Sequence, residues 1–398
     1  MTSLTRRVRG RTVAAAATLA LGLPLLAACT DNATAGADDA SPDPRALTVT
    51  ASDTTCELSG AEAPSGNLRF SVTNSGTKVN EFYLLAEDGL RIVGEVENIG
   101  PGLTRDLVLQ APPGSYFTAC KPGMVGDGIR AGFTVSDSGE TLAANEDEKA
   151  LVEQANTLYA AYVRDQTDQL LVTTEEFAKA FIAEDDDTAR ALYAPARVHW
   201  ERIETVAESF GDLDPEMDAR EADLEDGQKW TGWHRIEKDL WPERAKDYAA
   251  MSEAERQEYA DNLLANTKTL YDRTRDMTFT ADQIANGAKG LLDEVATGKV
   301  TGEEEYWSRT DLWDFQANVD GARVAFDGLK PLLQARGETE LMDQIETKFV
   351  ALQKLLDQHK DGDGFVTYDQ LTPDQVKQLS DAVNALSEPL SKLTAAVI

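Results

Sequence analysis

Near residue 140 the apolar spacing of this chain changes from two to three-and-four, and it does not change back. A period of two belongs to a half-buried strand, and a mixed three/four period to a helix packed on one side. The chain is therefore divided into a β part followed by a helical part. Leu47-Thr48-Val49-Thr50 and Leu68-Arg69-Phe70-Ser71-Val72 alternate apolar and polar residues. Asn74-Ser75-Gly76, Gly100-Pro101-Gly102 and Pro112-Pro113-Gly114 punctuate such runs as turns. Short strands at this spacing predict a small β-sandwich over 46–137. From 146 to 398, stripes such as Leu341, Ile345, Phe349, Leu352 and Leu356, or Ile284, Ala288, Leu291 and Val295, predict amphipathic helices. Polar connections such as Gly211 to Pro215 suit antiparallel bundles, and all six tryptophans lie in this half.

Residues 1–28 read as an export leader and stand outside the fold argument. Arg6, Arg7, Arg9 and Arg11 form a basic start, Val13 to Leu26 is apolar, and Leu26-Ala27-Ala28-Cys29 matches a lipobox. The pattern predicts general secretion, lipidation of Cys29, and a flexible tether over 29–45 rich in Ala, Asp, Ser and Pro. No other run approaches the roughly 18 apolar residues of a spanning helix. The expected location is outside the cytoplasmic membrane, with the lipid as the only anchor. Cys56 and Cys120 then face an oxidising compartment, where a disulfide is the default.

Charge narrows the partners. With 70 acidic against 38 basic residues and a formal net charge of −32, the chain repels nucleic acid and anionic lipid surfaces. Small cations are its natural ligands. At 42% hydrophobic and 27% charged it is otherwise an ordinary globular composition.

Only three histidines are present, and one of them is suggestively placed. His234 and Glu237 are three residues apart, so on a helix they share a face and can converge on one cation. The surrounding Gly232-Trp233-His234-Arg235-Ile236-Glu237-Lys238-Asp239-Leu240-Trp241 resembles the signature of the imelysin-like family, and specifically its EfeO branch of iron-uptake lipoproteins. Two further segments fit that resemblance. Arg197 to Phe210 contains Glu204 and Glu208 at i and i+4, where two carboxylates on one helical face repel unless a cation lies between them. Gly302-Glu303-Glu304-Glu305 precedes Ser308-Arg309-Thr310-Asp311-Leu312-Trp313-Asp314-Phe315, with Arg309 standing where the family leads one to expect histidine.

The resemblance implies tandem helical bundles and a metal set of His234, Glu237, Glu204, Glu208 and Asp218, with Glu304 as a further member. Plainer roles remain open: Glu204 and Glu208 as ion-pair partners of Arg197 or Arg202, Glu303 to Glu305 as a solvated helix start, and His199 as a packing or surface histidine. An oxygen-rich set with one imidazole suits iron, ferric or ferrous, with copper or zinc as other ions it accepts.

In the β part, Asn74-x-Gly76 before Asn80-Glu81-Phe82, and Pro113 to Cys120 with Met124, resemble a cupredoxin-like domain. No histidine precedes His199, so a two-histidine blue-copper site is excluded. The resemblance offers Cys56, Glu81, Cys120 and Met124 as a second metal site; the alternative is the Cys56–Cys120 disulfide.

Together these features predict a lipid-anchored, extracytoplasmic iron-binding component that captures iron and delivers it to a membrane permease. The resemblance implies an oxidase-dependent type of iron permease and a dye-decolorising haem peroxidase as partners. A metal-dependent peptidase and a cation-bridged polysaccharide-binding protein are the alternatives. The first lacks the His-Glu-x-x-His helix of zinc peptidases. The stretch from Asp357 to Gly364 imitates a calcium loop but has Tyr368 at the twelfth position, where a bidentate glutamate belongs, and reads as a turn.

Overall fold

Alternating burial folds the N-terminal strands into two layers. In the computed structural model, which describes residues 43–139 and 146–398 apart from 88, 90, 91, 127, 225 and 226, nine strands precede the first helix among the described residues: β1 (Ala46–Ala51), β2 (Cys56–Leu58), β3 (Glu62–Pro64), β4 (Gly66–Asn74), β5 (Asn80–Leu85), β6 (Ile92–Ile99), β7 (Thr104–Ala111), β8 (Gly114–Cys120) and β9 (Ile129–Ser136). The leader and Cys29 lie outside the described residues, as does most of the tether. β1 buries Leu47, Val49 and Ala51 and exposes the residues between them. β4 likewise buries Leu68, Phe70 and Val72, with Arg69 exposed and Ser71 half-buried between them.

One sheet runs β2-β1-β4-β7 and the other β3-β9-β8-β5-β6. Both are mixed, because β1 pairs parallel to β4 and β3 parallel to β9. Phe70 from one layer meets Phe82 and Phe133 from the other at ring centroids of 5.2 and 5.5 Å. Of the two readings left open for Cys56 and Cys120, the structure has the disulfide, which ties β2 in the first sheet to β8 in the second.

The helical half comprises α1 (Glu146–Ile182), α2 (Asp186–Glu201), α3 (Leu213–Asp218), α4 (Trp233–Leu240), α5 (Glu253–Thr274), α6 (Ala281–Thr297), α7 (Asp311–Ala335), α8 (Thr339–Leu356), α9 (Pro373–Leu390) and α10 (Leu393–Val397). α1 packs on α2 and α5, α6 on α7 and α9, and α8 on α9, while α7 also meets α1 and α2. One continuous apolar core results. The stripes expected of α6 and α8 are buried as their spacing requires. Two local differences from the sequence expectation appear. Asp214 and Pro215 lie inside the short helix α3, not in a turn. A two-residue hairpin, Lys360–Asp361 with Gly364–Phe365, interrupts the helices at the calcium-loop look-alike.

The β-sandwich docks on α6. Arg105 Nη1 lies 3.0 Å from Asp293 Oδ2, the Gln110 amide donates to Asp282 Oδ2 at 3.0 Å, and Asn286 Nδ2 donates to the Val108 carbonyl at 3.0 Å. No helix among the described residues is long and apolar enough to cross a membrane.

The disulfide generates a first prediction. Replacing Cys56 and Cys120 together by alanine should cost about 2–5 kcal/mol of stability. Urea unfolding followed by near-ultraviolet circular dichroism measures this, and labelling of the denatured, unreduced wild type should find both sulfurs protected.

Candidate metal centre

A glycine places the histidine. Gly232 has φ +88°, and a Cβ built there would stand 2.1 Å from the Met217 carbonyl oxygen. Only glycine allows the start of α4 to press on the end of α3. Thr231 Oγ1 donates to the Glu216 carbonyl at 2.8 Å and Trp230 Nε1 to the Ala219 carbonyl at 2.7 Å, which secures the same contact. Asp218, the last residue of α3, thereby comes beside His234, the second residue of α4. Trp233 is buried against Phe177 and Tyr193 and anchors the helix on the core.

His234 is 1% exposed, and its two nitrogens face different neighbours. Nδ1 lies 3.2 Å from Glu237 Oε2, as the three-residue spacing predicts. The other oxygen of Glu237 accepts hydrogen bonds from the amides of Trp307 and Ser308 at 2.8 and 2.6 Å. A carboxylate only accepts, so Nδ1 keeps a proton toward Glu237, and Nε2 is the nitrogen a metal ion takes by displacing its proton. Nε2 has no hydrogen-bond partner and stands 3.5 Å from Asp218 Oδ1 and 3.7 Å from Glu304 Oε1. The ligand atoms of Asp218, His234 and Glu304 all lie within 4.8 Å of one another, and so do those of His234, Glu237 and Glu305.

Buried cations hold these carboxylates. The Arg197 guanidinium, completely buried on α2, pairs with Asp218 and Glu201, lies 2.8 Å from Glu305 Oε1 and 3.7 Å from Asp314 Oδ2. Trp200 Nε1 donates to Asp218 Oδ2 at 2.8 Å. Lys299 Nζ lies 2.8 Å from Glu201, 2.6 Å from Glu204 and 3.7 Å from Glu304.

Burial alone would raise the carboxyls, but at Asp218 the charges of Arg197 and His234 outweigh it and hold the group below its ordinary range. Glu304 is held down likewise, against its burial, by Lys299, His234 and Arg220. Burial and Arg197 push His234 down, but the hydrogen bond to Glu237 and the neighbouring carboxylates of Glu304 and Asp218 outweigh them and lift it to about 10, so without a metal both ring nitrogens hold protons near neutral pH. Glu305 goes the other way, raised by burial and by the Glu237 charge.

The remaining candidates fall in separate places. Glu204 and Glu208 were expected one above the other on an α-helix. The segment Glu204–Phe210 is instead a 3-10 helix kinked at Val206, with φ −129°, so the four-residue spacing no longer stacks them. α6 presses directly on this backbone: a Cβ at Gly287 would lie 1.8 Å from the Thr205 carbonyl oxygen. Glu204 turns to Lys299 and to Asn318 Nδ2, at 2.8 Å, and Glu208 faces Glu95 of β6, burial raising both carboxyls. Neither belongs to the triads around His234.

The solvated helix start expected at Glu303 to Glu305 is not what forms. Glu304 and Glu305 are 7% and 0% exposed, in a turn that follows Gly302 at φ +77°, and α7 begins only at Asp311. Ser308 Oγ and Tyr193 Oη donate to Glu305 at 2.7 and 3.2 Å. Arg309 donates to the Gly302 carbonyl at 3.1 Å and does not enter the triads. His199 is a packing histidine bonded to Gln166 at 3.0 Å. Burial and the charge of Arg202 depress it to about 4.

In the β-sandwich the Cys56 and Cys120 sulfurs are joined, which leaves no thiolate for a second metal. Glu81 accepts from Tyr83 Oη at 2.6 Å, and Met124 is 46% exposed. Sequence reasoning missed Glu305, Asp314, Arg197 and Lys299 as members of the centre; the Arg197–Glu201 spacing of four was the one signal available.

His234 and Glu237 on α4 carry the His-x-x-Glu pattern by which the chain resembles the imelysin-like family. Residues 155–393 match the imelysin (peptidase M75) family, and the chain belongs to it. Beyond the family, it is a homologue of the iron uptake system component EfeO. It is 36% identical over 348 residues to the EfeO proteins of Escherichia coli K12, Escherichia coli O157:H7 and Shigella flexneri, covering 87% of this chain and 89% of each relative. An alignment of that length exceeds the helical half and so takes in the β-sandwich as well.

Gly232→Ala tests the placement of the histidine. A side chain at a positive φ and 2.1 Å from a carbonyl oxygen must push α4 away from α3. The substitution should cost about 1–3 kcal/mol, and the His234 ring resonances should shift in the nuclear magnetic resonance spectrum.

Proposed function

We propose that this protein captures an iron ion outside the cytoplasmic membrane and delivers it to a permease, with the cargo bound by Asp218, His234 and Glu304. The observation that carries the reading is His234 Nε2: buried, without a hydrogen-bond partner, and facing two carboxylates that are held ionised. The buried Nε2 proton has no acceptor within hydrogen-bond reach, and a hard or borderline cation that displaces it is held by the ring and by both carboxylates at once. Glu237 acts through the ring, fixing its orientation and tautomer from Nδ1, as outer carboxylates do for metal-bound histidines. Glu305 stands behind it on the same side.

Binding without chemistry fits this donor set. A catalytic zinc site needs three strong protein ligands and an open position, usually with more than one imidazole. Here His199 and His359 lie outside both triads. The relatives are named as components of an iron uptake system, which supports iron as cargo and further proteins as partners; a membrane permease as recipient follows from the resemblance. The Leu26-Ala27-Ala28-Cys29 pattern supports a lipid anchor at Cys29, and the disulfide suits an oxidising compartment. A haem peroxidase partner follows from the resemblance alone.

Elemental analysis of protein loaded with iron and desalted should give one ion per chain. Bound iron should raise the melting temperature by mass action, about 2.7 kcal/mol of stabilisation at a hundredfold excess over Kd. His234→Ala with Glu304→Ala should abolish binding and the thermal shift. Unchanged iron stoichiometry in that double variant would refute the assignment.

A further inference from the structure

A histidine that is 1% exposed needs a route by which a cation reaches it. A cleft of about 880 Å³ lies between the β-sandwich and the helical half. Its lining includes Asp218 and Glu304, the two carboxylates that face His234 Nε2. Glu97 of β6 and the loop from Lys121 to Gly126, with the exposed Met124, form the β side. Glu294 and Thr297, in the last turn of α6, form part of the other. Among the described residues, eight carboxylates line the cleft against three cations, Lys121, Arg220 and Lys299. A second cavity of about 950 Å³, which includes Asn156, Phe279 and Ile398, touches none of the triad.

Glu97 and Glu294 line the same cleft from different halves of the molecule. Burial and then the Glu97 charge raise Glu294, and burial with the charges of Glu81 and Glu208 lifts Glu97 to about 7. A buried carboxyl raised by the charge of a second carboxylate is relieved by a cation near both. A concave, low-dielectric channel of one sign also concentrates counter-ions.

We propose that this interdomain cleft is the cation's path to His234, and that Glu97 from the β-sandwich and Glu294 from α6 are its outer station, taking a hydrated metal cation in transit. The proposal rests on Asp218, His234 and Glu304 being the cargo site. A station on the path lowers the barrier in both directions, so it changes rates and leaves the equilibrium nearly untouched. A ligand would change the equilibrium.

Stopped-flow mixing with ferrous ion under nitrogen, read by tryptophan emission, separates these roles. Trp200, bonded to Asp218, is the reporter. In Glu97→Gln with Glu294→Gln, association should slow about tenfold and dissociation in proportion, with Kd changed by less than about twofold. Glu340→Gln with Asp343→Asn removes the same charge from the exposed face of α8 and should leave both rates unchanged. Thr297→Phe narrows the cleft without altering charge and should slow both rates, which keeps the test open if the glutamine pair folds poorly. Unchanged association in the glutamine pair and in Thr297→Phe overturns the route. Slowed association with unchanged dissociation reduces the glutamates to a general field and overturns the station. A raised Kd at an unchanged association rate makes them ligands, with the same consequence. Failure of these variants alone leaves the cargo site standing, whereas a wild-type chain that binds no ferrous ion removes both.

Discussion

One buried guanidinium organises the helical half. Arg197 takes partners from its own helix (Glu201), from the end of α3 (Asp218), from the turn before α7 (Glu305) and from α7 itself (Asp314). Each of those carboxylates would be costly to bury alone. Around one planar, permanently charged group with five donors they become a framework. Loss of Arg197 would leave several uncompensated buried charges, each broken pair costing about 3–5 kcal/mol. The tie between α2 and the end of α3 and the electrostatics beside His234 both depend on this residue.

The rest of the centre follows from close approach. Gly232 lets α4 touch α3, and Gly287 lets α6 touch the segment after α2. With those contacts made, Glu237 is saturated by two backbone amides and its remaining oxygen holds the histidine. The ring then turns Nε2 in one direction, toward Asp218 and Glu304. The β-sandwich, seated on α6 through Arg105, Gln110 and Asn286, supplies the wall opposite.

The division into sandwich and helices was legible because apolar period is a local property of sequence. His234 with Glu237 was legible for the same reason, since a spacing of three has one meaning on a helix. Glu204 with Glu208 was misleading because the spacing of four carries its meaning only if the helix is α, and contact with α6 accompanies a 3-10 turn there. Glu305 and Lys299 were illegible for a different reason. A charged side chain is on the surface by default, and nothing local announces that Arg197 will meet the one or that three carboxylates will surround the other. The disulfide was one of two readings until β2 and β8 were brought together across the sandwich.

In the proposed cargo site, Lys299 has a consequence for unloading. Its ammonium sits within 4 Å of Glu304 while also bonded to Glu201 and Glu204. An ion that leaves Glu304 therefore never leaves that oxygen bare in a low-dielectric interior, because a tethered counter-ion is already in place at a local concentration no dissolved salt can match. The same ammonium is a standing competitor for the incoming cation, so it limits how tightly the cargo is gripped. A carrier has to let go, and a built-in rival for one of its own ligands is a way of keeping the bound state from becoming a trap.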